Sequence, residues 1–156
     1  MVLIDSLIET NITVDLKPAN RWDVIKDLVS LLVKSGQIPA SISEQVSKSL
    51  VEREKSMSTG IGKGVAIPHC AIEAIDDAKV ALAVLDKGIN FEAIDDAPVQ
   101  LVVLLLSPKL KMQQHVKNLA SIAKFLSTDD NKHSLLGLKS AAEIKKFINE
   151  HGIHVK

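Results

Sequence analysis

Apolar residues recur along the chain with two periods, close to 3.6 and to 2, and the switches between them mark out its elements. Ile12 to Leu16 alternates and predicts a short strand, after which Pro18 and Asn20 punctuate the start of a helix. That helix, RWDVIKDLVSLLVKSG, carries Trp22, Ile25, Leu28, Val29 and Leu32 on one face and ends before Gly36. Ser41 with Glu44 has the form of a capping box, and Ile42, Val46 and Leu50 follow at four-residue intervals. The spacing predicts a second helix, running to about Arg53 or Glu54. Lys79 to Leu85 and Val99 to Leu106 are short apolar runs of strand type, the second continuous enough to be buried on both faces. Asp86 to Gly88 and Asp95 to Pro98 read as turns. Helical spacing returns from Leu110 to Leu126, with Met112, Val116, Leu119, Ala123 and Leu126 on one face, and DDNKHS after it reads as a solvated turn holding His133. Ser140 and Glu143 form another capping box, opening a last helix that ends at Gly152.

Helical and strand segments alternate over 156 residues with no repeat or long linker, which predicts one compact α/β domain, residues 1–156, whose sheet is flanked by helices. Aromatic residues make up only 3%, so the core is aliphatic and base stacking is a poor basis for function. Nineteen basic and nineteen acidic residues cancel, so no overall field draws the chain to nucleic acid or an anionic membrane. No run reaches the ~20 apolar residues of a spanning helix, the N-terminus lacks the pattern of a leader, and Cys70 is the only cysteine. These features make membrane insertion unexpected and the cytoplasm the expected compartment.

The chemistry concentrates in STGIGKGVAIPHC, Ser58 to Cys70. A phosphate-binding P-loop needs a hydroxyl after its lysine, but Gly64 follows Lys63. The dinucleotide fingerprint fails as well, because its glycine spacing is wrong and Pro68 stands where a helix should begin. His69 and Cys70 are neighbours on an extended chain and point apart, and Gly152 separates His151 from His154, so no metal site is expected. His69 remains, at a strand end beside a proline, with Ser58, Thr59, Lys63, glycine amides and Arg53 near it in sequence, a set suited to an oxyanion. His115 lies on or beside the apolar stripe of its helix and needs a polar partner if it points inward. A structural role remains open for either histidine on this reading.

The run REKSMSTGIGKGVAIPH resembles the signature of the enzyme IIA domains of the bacterial phosphoenolpyruvate-dependent phosphotransferase system, in the fructose, mannitol and nitrogen-regulatory superfamily. GINFEAIDDAPVQLVVLLLSP and HVKNLASIAKFL extend the likeness from about Ile12 to Ile148. The resemblance implies a mixed sheet and a phosphocarrier in which His69 takes a phosphoryl group on Nε2 from the phosphohistidine of an HPr-type carrier. It implies that His115 helps hold that group and that Arg53, Ser58 and Thr59 match family positions; the Arg53 guanidinium, the hydroxyls of Ser58 and Thr59 and the amides of Gly60 and Gly62 are then expected to hold the phosphoryl oxygens. No cofactor is implied. Onward partners are a IIB component or regulatory target proteins. A chain with no attached transporter domain fits a nitrogen-regulatory IIA; the alternatives are a sugar-specific IIA and a binding module that is never phosphorylated. Cys70 and Asp96 depart from the residues common at their positions, and neither removes a group that the transfer needs.

Overall fold

The computed structural model describes residues 7–151, so Gly152, His154 and the first six residues lie outside the described part. The strands are β1 (Ile12–Thr13), β2 (Gly60–Gly62), β3 (Val65–Ala66), β4 (His69–Ile72), β5 (Lys79–Ile89) and β6 (Val99–Pro108). The helices are α1 (Arg21–Lys34), α2 (Ser43–Ser56), α3 (Met112–Ser127), α4 (Asp129–Leu136) and α5 (Ala141–His151). One mixed sheet runs β1-β5-β6-β3-β2, and β4 also pairs with β6. The fold is the expected single α/β domain with a mixed sheet between helices.

Period-2 alternation sorts the strand residues onto two faces. Ala66, Cys70, Ala81, Ala83, Val102, Leu104 and Leu106 pack with Ile25, Leu28, Leu32, Val46 and Leu50 of α1 and α2. Val65, Val80, Leu82, Leu101, Val103 and Leu105 pack on the other face with Ile122, Leu126, Leu135, Ile144 and Ile148 of the last three helices. β6 is buried on both sides, which accounts for its unbroken apolar run.

β3 and β4 lie beside β6 in one register, Val65 with Leu101, Ala66 with Val102 and His69 with Leu105. They are one strand interrupted at Ile67 and Pro68. Proline has no N–H to give the ladder, yet its carbonyl still accepts from the Leu105 amide at 2.9 Å. The Ile67 amide turns instead to the Thr59 carbonyl at 3.0 Å. Gly64 and Pro68 give their carbonyls to β6, so by alternation the Ile67 carbonyl lies on the edge away from β6.

Several expectations are corrected. The first strand is only Ile12–Thr13. Ser41 does not cap α2: a single 3-10 turn, Ala40–Ile42, precedes the helix, and no side chain caps its N-terminus. Asp86 to Gly88 continue β5 through an irregularity before the ladder resumes with Ile89 opposite Val99. DDNKHS opens α4, in which Leu135 alone is buried, although His133 is exposed as expected. The inner face of α3 is His115, Asn118, Ile122 and Leu126, while Met112 and Val116 point outward. The starts of α1 and α5 follow the sequence signals, and α2 runs on to Ser56. The Asn20 side chain accepts from the Asp23 amide at 3.0 Å, and Ser140 Oγ accepts from the Glu143 amide at 3.2 Å.

Candidate active site

β2 and β3 form a tight hairpin whose two linking residues, Lys63 and Gly64, have φ of 58° and 80°. Both being positive is the hand that two-residue hairpin turns require, and a glycine supplies it without strain. The hairpin is pinned from three sides. The Asp95 carboxylate accepts from the Lys63 amide at 2.8 Å, Lys132 Nζ of α4 donates to the Lys63 carbonyl at 2.8 Å, and Gly60 packs so tightly that a Cβ there would come 2.7 Å from Ala93 Cβ.

His69 opens β4. Its register partner Leu105 belongs to the core beneath α3, so alternation sends the imidazole toward α3 and Cys70 toward α1 and α2. His115 of α3 meets it there, with ring centroids 5.5 Å apart and planes tilted by 49°. The two rings have different supports. His69 Nδ1 lies 2.7 Å from the Ile67 carbonyl, and His115 Nδ1 lies 2.6 Å from Ser107 Oγ. A carbonyl only accepts, so His69 carries its neutral-state proton on Nδ1 and keeps a lone pair on Nε2.

Burial is the largest influence on His69 and lowers its pKa; the Ile67 hydrogen bond raises it, Arg53 lowers it and Glu54 raises it, for a net fall below 6.5. His115 is lowered by burial and then by His69. Both rings are therefore neutral at pH 7. Cys70, on the opposite face, is pushed up to about 12 by burial and has no thiolate character at neutral pH.

Among the remaining expected residues Arg53 is near enough to act on the charge of His69, and several of their donors are already engaged. Arg53, in the last turn of α2, gives one N–H to the Met57 carbonyl at 2.8 Å. The Ser58 hydroxyl donates to the Phe91 carbonyl, and its oxygen accepts from the Gly60 amide at 3.0 Å. Thr59 is buried and gives its hydroxyl proton to Glu54 at 2.5 Å. Gly62 lies against the Asp95 carboxylate, which reaches within 3.2 Å of where a Cβ would stand.

Glu54 is the group the sequence reading missed. It is 1% exposed, accepts from the Thr59 amide and hydroxyl, and sits 3.5 Å from Arg21 Nη1. Its signal was present: Val46, Leu50 and Glu54 are spaced by four, so the carboxylate continues the buried stripe of α2. Ser107 had a signal too, as a hydroxyl at the end of an otherwise apolar buried strand.

The family model described as "Phosphoenolpyruvate-dependent sugar phosphotransferase system, EIIA 2" matches residues 6–151. The chain belongs to this family. Among EIIA relatives, the fructose-specific EIIA component of Haloferax volcanii is 30% identical over 139 residues, 89% of each chain. A nitrogen regulatory protein of Bradyrhizobium diazoefficiens is 36% identical over 117 residues, 75% of this chain and 76% of its own. The crystal structure of nitrogen regulatory protein IIA-Ntr from Neisseria meningitidis superposes with a TM-score of 0.85 at 27% identity, covering 94% of this chain and 98% of that one. No helix of the described residues is long and apolar enough to cross a membrane.

Proposed function

We propose that this EIIA domain is a phosphocarrier of the nitrogen-regulatory kind, accepting a phosphoryl group on His69 Nε2 from the phosphohistidine of an HPr-type carrier. The observation that carries the reading is the hydrogen bond from His69 Nδ1 to the Ile67 carbonyl, which leaves Nε2 as the nucleophile beside a second imidazole. The Nε2 lone pair attacks phosphorus, the P–N bond to the carrier breaks, and the electron pair of that bond stays on the carrier's imidazole. The proton on His69 Nδ1 does not move. The His69 ring gains positive character as the new bond forms, and the two groups that favour its charged state, the Ile67 carbonyl and Glu54, oppose that cost.

Negative charge on the phosphoryl oxygens falls to Arg53, whose remaining N–H groups are available, and to His115. Ser58 and Thr59 have committed their hydroxyl protons, so their contribution is to hold the glycine hairpin and Glu54 in place. The Gly60 and Gly62 amides remain proposed contacts, both weakened: the Gly60 amide already donates to Ser58 Oγ, and the Asp95 carboxylate adjoins Gly62. Onward transfer or regulation calls for a protein partner. Exposed Met57, Ile61 and Ile94 near the hairpin, with Leu110, Met112 and Val116 near His115, offer apolar surface for one.

The regulatory branch draws support from the 36% identity to a nitrogen regulatory protein and the 0.85 TM-score. A sugar-specific IIA passing phosphate to a IIB component is favoured by the longer match to the fructose-specific relative. Incubation with phosphoenolpyruvate, enzyme I and HPr, or with the nitrogen-branch counterparts, is expected to add one acid-labile phosphate that His69→Ala abolishes. Preference for one carrier set chooses the branch, and no phosphate from either set sinks the phosphocarrier reading.

A further inference from the structure

Ser107 stands in register with Ala71 of β4, two residues beyond the Leu105 and His69 pair, so its hydroxyl emerges on the same sheet face as the His69 imidazole. Ser107 is 1% exposed, and His115 Nδ1 is its hydroxyl's only hydrogen-bond partner among the described residues. A hydroxyl both donates and accepts, so two arrangements fit the 2.6 Å separation. If Nδ1–H donated to Ser107, the buried hydroxyl proton would have no acceptor, and buried polar hydrogens are seldom left so. If the hydroxyl donates, its proton is satisfied and the ring proton of a neutral His115 must lie on Nε2. The ring is neutral at pH 7 because burial and the adjacent His69 both disfavour its charged form.

We propose that Ser107 is a positioning residue that holds His115 in the Nε2-protonated tautomer, opposite to the tautomer that the Ile67 carbonyl imposes on His69. The site then presents a lone pair on one imidazole and an N–H donor on the other, the nucleophile and the oxyanion ligand of a phosphoryl acceptor. The functional consequence rests on the phosphocarrier reading; the tautomer does not.

Long-range 1H–15N correlation spectra of the 15N-labelled protein at pH 7.5 read the two tautomers without any phosphoryl donor. The expected result is a proton on Nε2 and none on Nδ1 for His115, and the reverse for His69. Ser107→Ala should move the His115 proton toward Nδ1, and Ser107→Thr, which keeps the hydroxyl, should return it to Nε2. A His115 proton on Nδ1 in the unmodified protein, or a Ser107→Ala spectrum with unchanged His115 tautomer, would overturn the proposal. In single-turnover transfer from the phosphorylated carrier, Ser107→Ala should slow the step about fivefold, the worth of one hydrogen bond, with unchanged half-saturation. If no carrier phosphorylates the protein while the spectra read as expected, the phosphocarrier reading fails and the tautomer assignment stands.

Discussion

Two imidazoles of the same chemical type stand in different environments because their Nδ1 atoms meet different oxygens, a main-chain carbonyl for His69 and a hydroxyl for His115. The depressed pKa of His69 has a direct sign. Protonation blocks Nε2, so the proposed nucleophile is lost only as pH falls through a midpoint below 6.5. An NMR titration of His69 should place the midpoint there; a value above 6.5 would mean that burial does not dominate. Stability follows the same direction. The folded ring binds its proton less readily than the unfolded one, so stability rises with pH between the depressed midpoint and 6.5, and His115 adds to the effect. At this scale the sequence singled out His69 as a candidate, because a histidine after a proline beside glycines and hydroxyls is an unusual local grouping. It could not show which nitrogen is free, since that depends on how the ring meets a main-chain carbonyl two residues back.

Elements bring these residues together, and α2 does so through its C-terminal end. Arg53 and Glu54 are adjacent in sequence, yet the helix turns Arg53 toward the surface and Glu54 into the core. Glu54 ties α2 to Thr59 before the hairpin and to Arg21 at the start of α1. Removing one partner of such a buried pair leaves the other uncompensated, so Glu54→Ala should lower the unfolding free energy by about 3 kcal/mol, measured by urea denaturation. It should also lower the His69 midpoint further, because Glu54 favours the charged ring. Both central strands and the helices α1, α2 and α5 were legible from period and punctuation. The facing of α3 was not: hydrophobicity alone selected Met112 and Val116, whereas His115 and Asn118 turn inward, His115 to its polar partner Ser107. α4 was missed because its seven leading residues are mostly polar and only Leu135 anchors it.

The whole molecule is a sheet with two helical layers, and the site lies where an interrupted strand meets α3. The proposed function predicts that partners approach from the side that carries the exposed apolar residues. Val116 is 64% exposed, one position beyond His115. Val116→Glu should therefore leave the denaturation midpoint within error and raise the half-saturation for the phosphorylated carrier. Equal half-saturation would place docking elsewhere. Charge balance over the chain is consistent with recognition by local shape rather than by long-range attraction. The interruption at Ile67 and Pro68 separates what variation can reach from what it cannot. The acceptor that orients His69 is a peptide group, present whatever side chain occupies position 67, whereas the group that orients His115 is a serine that a single codon change removes. One half of the pair is set by the main chain and the other by a side chain, so a substitution at position 107 can change the tautomer of His115 without changing that of His69.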